Sequence, residues 1–342
     1  MKISILLPFK ENFSPSYAGA VSLFVNDTTR ISKYKNNTFI YGNTNYKNKF
    51  KLNYINIDPK INFLQSQNKE YVNDFIKNEK INKSNLIELH NRPIYLTYLV
   101  KSLINRTYIL YFHNDPLSMS GSTTVSERIF LMKNFFKIIF NSNWSKRRFL
   151  YGIKHDRINI QKLEVINQSA KKNNFKIKNK KKIITFVGKL NKAKGYDLFG
   201  TAVIKILNKY KDWKAIVIGD EPRDKINFIH QNLYKLGFKK HNEVISIYKK
   251  TSIAVVCSRW EEPFGRSSLE AAANGCAVII SKRGGLPETI TNGIILKKLS
   301  SKDIYNEIEI LIKNKKQRSL LQNLSYKNFF LTHKFVSKLI DK

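Results

Sequence analysis

Short, uniformly apolar runs recur along the chain, each followed by a segment whose apolar residues have helical spacing. Ile3–Pro8 predicts a first buried strand, and the pattern from Val21 to Lys33 predicts a helix after it. Further strands are expected at Thr38–Tyr41, Leu52–Ile57, Asn85–His90, Tyr108–Phe112 and Phe136–Asn141, with helical stretches after Leu52–Ile57 and Asn85–His90. A basic and aromatic helix is expected over Trp144–Lys154. The pattern then restarts with strand Ile183–Val187, helix Tyr196–Lys209, strand Ala215–Gly219, a short strand Leu233–Phe238 and helix His241–Lys250. Strand Ile253–Cys257, the Ala-rich run Leu269–Ala273 with a stop at Gly275, and strand Ala277–Ile280 form one strand–loop–helix–strand unit. Strands without alternation, separated by helices, indicate parallel sheets with both faces covered. The fold class is therefore α/β, with two doubly wound Rossmann-like domains.

The run from Lys171 to Lys182 holds seven lysines among asparagines, between two periodic regions. Self-repulsion predicts an extended linker there. The expected division is an amino-terminal domain over 1–170, a linker over 171–182, a carboxy-terminal domain over 183–325, and a last segment over 326–342. In that segment, Phe329–Ile340 is expected to be a helix packing back across the interface.

Charge changes the list of partners to consider. With 61 Lys+Arg against 25 Asp+Glu, the 342-residue chain carries a formal +36. Such a surplus attracts nucleic acid, anionic membranes or phosphorylated ligands. Asparagine and isoleucine are over-used as well, so compositional bias accounts for the larger share of the lysines. No helix-turn-helix, zinc-finger or RNP-like pattern accompanies the charge, so nucleic acid is not the expected partner. Plotted as a helix, Trp144–Lys154 places Trp144, Arg147, Arg148, Tyr151 and Lys154 opposite Phe149, Leu150 and Ile153, a face suited to anionic lipid headgroups or simply to water. Cys257 and Cys276 lie in two predicted buried strands with no CxxC or His-rich cluster, which argues for reduced thiols and against zinc. The run Ile3–Phe9 is too short for a signal core, and no stretch of about 18 apolar residues is present. The expected location is cytoplasmic, at most peripheral at the inner face of the membrane.

Candidate chemistry clusters where predicted strands end, which is where open α/β sheets bind ligands. Glu262 and Glu270 have seven residues between them in the loop and helix after Ile253–Cys257. Ser267-Ser268-Leu269-Glu270 reads equally as a capping box, or as a helix start facing an anionic ligand with the glutamates accepting from sugar and ribose hydroxyls. Gly188 to Gly195 carries Lys189 and Lys194 but lacks the order of a Walker loop. Gly19 stands between the first strand and its helix, where backbone N–H groups can approach a ligand. His90-Asn91-Arg92 and His113-Asn114 follow two strands and point to one cleft, although each histidine could merely cap the sheet.

One stretch is specific. Glu262-Pro263-Phe264-Gly265, Glu270, Asn274-Gly275 and Gly284-Gly285-Leu286-Pro287-Glu288 together resemble the donor-site signature of retaining glycosyltransferases of family four, which have the GT-B fold. Gly188-Lys189-Leu190 with Lys194-Gly195 matches the same family's diphosphate loop, and Phe112–Pro116, Ser126-Glu127-Arg128 and Ile138–Trp144 resemble members that build bacterial cell-surface polysaccharides. The resemblance implies two facing domains, with a nucleotide-diphosphate-sugar in the carboxy-terminal one and a saccharide or lipid-linked acceptor in the amino-terminal one. It implies donor contacts from Gly19, Lys189, Lys194, Glu262, Phe264, Gly265 and Glu270, and a catalytic role for His113, Lys189, Lys194 and Glu262. His90, Asn91, Arg92 and Asn114 are the acceptor-side candidates. No metal or other cofactor is implied, the donor being a substrate.

The match departs from the family at two places. Ala18-Gly19 keeps one of two usual glycines, and Lys189 stands where arginine is common, which keeps the charge without the bidentate fork. The rival readings are a basic nucleic-acid-binding protein, from charge alone, and a phosphorylase of the same architecture that uses a sugar phosphate.

Overall fold

The computed structural model describes residues 1–59, 66–154, 159–174 and 176–342. They divide into two compact units: Met1–Ser169 with His333–Lys342, and Ala170–Thr332. In the first, β1 (Ile3–Leu6) is followed by α1 (Ala20–Thr29), β2 (Thr38–Gly42), β3 (Tyr54–Asn56), α2 (Gln67–Asn82) and β4 (Leu86–His90). Next come α3 (Leu96–Ser102), β5 (Thr107–Phe112), α4 (Val125–Asn134), β6 (Lys137–Phe140), α5 (Asn143–Leu150) and β7 (Leu163–Val165). All strands are parallel, in the order β3-β2-β1-β4-β5-β6-β7.

Side chains alternate across this sheet and give it two unlike faces. Leu6, Ile87, Leu89, Leu110, Phe112 and Phe140 join one large apolar core. The other face carries Glu88, His90 and Tyr111 beneath α1, whose Phe24 ring lies against His90, Tyr111 and His113.

The second unit runs through β8 (Lys181–Val187), α6 (Tyr196–Lys209), β9 (Lys214–Ile218), β10 (Leu233–Lys235), α7 (His241–Lys250) and β11 (Thr251–Val256). It continues with α8 (Arg266–Ala273), β12 (Ala277–Ile280), β13 (Ile294–Ile295), α9 (Ser301–Lys313) and α10 (Lys315–Lys327). Its parallel order, β10-β9-β8-β11-β12-β13, is the dinucleotide-fold arrangement. Every residue of β11 and β12 is buried, as the unbroken apolar runs Ile253–Val256 and Ala277–Ile280 require. In both units the strand order reverses beside the first strand, between β1 and β4 and between β8 and β11. The loops leaving those strands frame a crevice at the carboxyl ends.

Three expectations need correction. The lysine-rich run is not held off by its own charge. Lys180 is inserted into the second unit, donating to the carbonyl oxygens of Tyr248 (2.9 Å) and Asn274 (2.7 Å), and Lys181-Lys182 already belong to β8. Lys172 donates to Phe329 O at 3.1 Å, so specific carbonyl acceptors outweigh repulsion (residue 175 of this run lies outside the described residues).

The second correction is to the basic helix. It ends at Leu150, because Tyr151 turns to ψ 124 and offers its carbonyl to the buried Arg128 at 2.6 Å. Tyr151 and Lys154 are thus off the helix. Arg148 is engaged by Asp115, with N–O distances of 2.9–3.2 Å, and stacks on Trp144, so the proposed lipid-facing stripe is not assembled.

Third, the last helix, α11 (His333–Ile340), starts later than expected and packs on α1. Ser337 donates to Thr28 O at 3.1 Å, and the Asp341 carboxylate accepts from Ser32 Oγ at 2.6 Å and Lys33 N at 3.0 Å. Among the described residues no helix is long and apolar enough to cross a membrane.

The placement of α11 has a testable consequence. Ending the chain after Thr332 should destabilise the first unit by at least the about 1.5–3 kcal/mol that burying one such side chain is worth, since Val336 is fully buried. Hydrogen exchange should rise in the β1–β7 sheet and stay unchanged in β8–β13. Equal protection of β1–β7 with and without α11 would contradict this packing.

Candidate functional site

In the second unit, the crevice is formed by the loop 188–195 after β8 and the loop 257–265 after β11. The two touch through backbone. Gly195, at φ 75°, packs so closely that a Cβ there would lie 2.0 Å from Cys257 O. The Ala193 carbonyl accepts from Arg259 N at 2.8 Å and Trp260 N at 3.0 Å. This stitching brings Lys194 Nζ to 2.5 Å from Glu262 Oε1. Glu262 is buried, and a second loop fixes its backbone: Gly285 N donates to Glu262 O at 2.7 Å, and a Cβ on Gly284 would fall 2.1 Å from that oxygen. Lys189, near the start of the same loop as Lys194, is exposed.

Glu270 is not a capping residue. α8 begins at Arg266 with Gly265 as its N-cap, so Ser267 lies inside the helix and Glu270 a turn further on. Its Oε1 accepts from Arg266 Nε at 3.0 Å and lies 2.9 Å from His241 Nε2. Burial pushes the Glu270 carboxyl up, but Arg266 and His241 more than offset it and hold it below the usual range. Phe264 is 2% exposed, so its ring supports the loop rather than facing the crevice. The sequence reading overlooked Arg266 and His241. The i,i+4 spacing of Arg266 and Glu270 was a readable signal, whereas the approach of His241 from α7 was not.

In the first unit, Gly19 is the N-cap of α1, and the Glu11 carboxylate occupies that helix start, accepting from Ser22 N at 3.1 Å and Ser22 Oγ at 2.8 Å. A phosphate approaching Gly19 must displace this carboxylate or bind beside it.

The strand ends beyond β4 and β5 form one network. Asn91 sits at φ 56° and its Oδ1 accepts from His113 N at 2.7 Å and Asn114 N at 3.1 Å. His90 Nδ1 lies 2.9 Å from His113 Nε2, and the two rings are nearly parallel, 13° apart. Gln168 Nε2 lies 3.4 Å from His113 Nδ1, and Asn141 Nδ2 donates to His113 O at 2.8 Å. Asn91, Arg92 and Asn114 line a polar cleft of about 370 Å³ with Asn68, Tyr98 and Ser118. His90 faces instead a second, largely apolar cavity of about 310 Å³.

Beneath this network lies Glu88, one strand repeat before His90 and missed in the sequence reading. It is 6% exposed, and burial, then Asp341, push its carboxyl up to about 8. Burial pushes the His90 imidazole down to about 3, so that ring stays neutral. Among the described residues no group of three or more His, Cys, Asp or Glu side chains could hold a metal ion.

Two parallel, doubly wound units with crevices at both reversal points define the GT-B fold, and solved structures bear this out. The Anabaena Alr3699/HepE protein in complex with UDP superposes with a TM-score of 0.75 at 18% identity, covering 99% of this chain and 98% of that one. The lipopolysaccharide outer core galactosyltransferase WaaB, in its apo form, gives 0.69 at 15%, covering 100% and 98%. Residues 167–328, just under half of the chain, match the family model of glycosyl transferases group 1. Spore coat protein SA of Bacillus subtilis (strain 168) is 31% identical over 162 residues, 42% of this chain and 43% of that protein. The capsular polysaccharide biosynthesis glycosyltransferase CapM of Staphylococcus aureus is 28% identical over 192 residues, 54% and 50%. The chain thus spans about half the length of the curated relatives it matches.

Glu88 gives a pH test. The folded state keeps its proton up to about 8, whereas the unfolded chain releases it in the ordinary carboxylate range. Stability therefore falls as pH rises between those values, by at most about 1.4 kcal/mol per pH unit. Glu88→Gln removes that loss, so its melting temperature should gain on the parent's progressively across the window and level off above it. A difference independent of pH would contradict the assignment.

Proposed function

We propose that this protein is a retaining glycosyltransferase that moves a sugar from a nucleotide-diphosphate-sugar to a saccharide or lipid-linked acceptor in cell-surface polysaccharide synthesis. The juxtaposition of Lys194 and Glu262 at the strand-order reversal of the second unit, with Lys189 exposed on the same loop as Lys194, carries this reading. The names of relatives and neighbours support it: one is a capsular polysaccharide glycosyltransferase, and another structure holds UDP-glucose.

The donor occupies the second unit. Breaking the bond between the anomeric carbon and the diphosphate leaves negative charge on the phosphate oxygens as the acceptor oxygen bonds to that carbon. Lys194 and Lys189 stabilise that charge from fixed positions, with the N-termini of α6 and α8 adding their dipoles. Lys194 is held by Glu262 before the donor arrives; the diphosphate takes over the ammonium and releases Glu262 to accept from sugar hydroxyls. Glu270, kept ionised and oriented by Arg266 and His241, accepts from the ribose. Gly265 lets the chain turn beside the donor, and Phe264 supports that turn from below.

The acceptor is taken by the first unit through the cleft of Asn91, Arg92 and Asn114. By the family resemblance, Gly19 is assigned to the donor phosphates and His113 to the transferred sugar. Stereochemistry is retained by departure and attack on one face, the acceptor proton passing to the leaving phosphate. The charge on the diphosphate is met by side chains, so neither a metal nor another cofactor is required. The reaction belongs in the cytoplasm, at the inner face of the membrane when the acceptor is lipid-linked.

Two outcomes follow. Lys194→Ala and Lys189→Ala should each lower kcat/KM by the equivalent of about 2–4 kcal/mol, with the fold intact by circular dichroism; unchanged turnover in both variants would sink the assignment. Turnover should also survive a chelator in excess, whereas its abolition and rescue by a divalent cation would place a metal at the diphosphate after all.

A further inference from the structure

Glu88, His90 and His113 lie in one line on the α1 face of the first sheet, running toward its carboxyl end. His113 Nε2 is 2.9 Å from His90 Nδ1, and His90 Nε2, buried and without a hydrogen bond, is 3.6 Å from Glu88 Oε2. At the far end Gln168 faces His113 Nδ1, and the Gln168 carbonyl oxygen is also buried without a hydrogen bond. The two ring nitrogens of an imidazole report on each other: if one carries the proton, the other accepts. Turning the Gln168 amide over lets it meet His113 Nδ1 either as donor or as acceptor. Two arrangements therefore satisfy the row. In one, an ionised Glu88 accepts from His90 Nε2–H, His90 Nδ1 accepts from His113 Nε2–H, and His113 Nδ1 is an acceptor. In the other, a protonated Glu88 donates to His90 Nε2, His90 Nδ1–H donates to His113 Nε2, and His113 Nδ1–H is a donor.

We propose that Glu88, His90 and His113 form a buried proton relay in which the protonation of Glu88 decides whether His113 presents an acceptor or a donor at Nδ1. The role at the reaction rests on the placement of His113 beside the transferred sugar; the relay itself does not.

The protons balance. When His113 Nδ1 takes up a proton from solvent, Nε2–H passes its own to His90 Nδ1, His90 Nε2–H passes its own to Glu88, and the carboxylate becomes a carboxyl. The reverse shift returns that proton to solvent, and the acceptor's own proton still goes to the leaving phosphate. Neither imidazole is charged at the end of the shift, which suits His90, whose burial strongly disfavours the imidazolium. A 3.6 Å gap is longer than a hydrogen bond, so Glu88 must swing slightly to close it. It has room, because Glu88 and His90 both line the 310 Å³ cavity bounded by Ile5, Phe24, Ile109 and Ile139.

The groups around Glu88 fit a carboxyl poised near neutrality. Tyr111 on β5 is held neutral by burial, and Asp341 at the end of α11 opposes ionisation. Lys137 on β6 is already paired with Glu164 on β7 at 2.9 Å, and Lys342 lines the same cavity. From α1 only Phe24, Val25, Thr28 and Thr29 face the cavity, none of them charged; its Asp27 lies 3.7 Å from His333 instead. Glu88 and His90 act through His113 and are positioning residues.

The test uses the full chain labelled with ¹⁵N-histidine, its six histidines resolved by long-range ¹H–¹⁵N correlation and His113 assigned by loss of its signal in His113→Gln. As pH rises through about 8, His113 should pass from the Nδ1–H to the Nε2–H form, while Glu88→Gln should hold one form throughout. A His113 tautomer that ignores pH in the parent, which needs no variant to fold, overturns the relay; so does the same transition in Glu88→Gln. Turnover separates the two readings. If the transition occurs and the pH profile of kcat bends with it in the parent but not in Glu88→Gln, relay and site stand together. A transition that leaves kcat untouched keeps the relay and removes His113 from the reacting sugar.

Discussion

The second unit depends on a backbone contact. Two loops that leave neighbouring strands in opposite directions are pressed together at Gly195 and Cys257, with no room for a Cβ between them. From that contact follow the carbonyl of Ala193 as a shared acceptor, the start of α6 at Tyr196, and the meeting of Lys194 with Glu262. An ammonium and a carboxylate held at 2.5 Å in a half-buried crevice form a preorganised charge pair, and a diphosphate can compete for its cation. Rigid backbone is what makes such placement useful, because donors already in position cost little reorganisation as charge develops.

The first unit solves a different problem. One face of its sheet is an ordinary apolar core, whereas the other carries a carboxyl, two imidazoles and a phenol in one row. Burying those groups is expensive unless they partner one another or give up their charge. Here they do both: His90 and His113 bond, and burial keeps His90 neutral and Glu88 protonated near neutral pH. The covering helix α11 comes from the far end of the chain, and its Asp341 adds to the pressure on Glu88.

Most of the architecture was legible because both sheets are parallel and fully covered, so their strands read as unbroken apolar runs. Tyr196–Lys209 and His241–Lys250 were read to the residue, their apolar spacing being clear. The strands Leu163–Val165 and Ile294–Ile295 were not read, since three and two residues cannot display a period. The lysine run misled because charge repulsion is a property of the sequence, whereas the carbonyls that receive Lys180 come from Tyr248 and Asn274, far along the chain. Glu270 misled similarly: its spacing from Ser267 fits a capping box, but Gly265 starts the helix earlier and leaves the carboxylate to Arg266 and His241. Lys189, Lys194, Glu262 and His113 were visible through motif order, but the pairing of His113 with His90 and the presence of Glu88 behind them needed the fold.

The formal charge of +36 gains a narrower meaning from this arrangement. Most of the lysines are exposed, while the two assigned to chemistry stand at a strand-order reversal, one of them already paired. The central claim is that this crevice takes a nucleotide-diphosphate-sugar. Hydrogen exchange of the full chain, with and without saturating UDP-glucose or other nucleotide sugars, tests it directly, because bound ligand slows the opening of the backbone it touches. The account predicts protection concentrated at residues 186–195 and 258–270. Protection absent from both segments with every donor, or confined to the first unit, would contradict it.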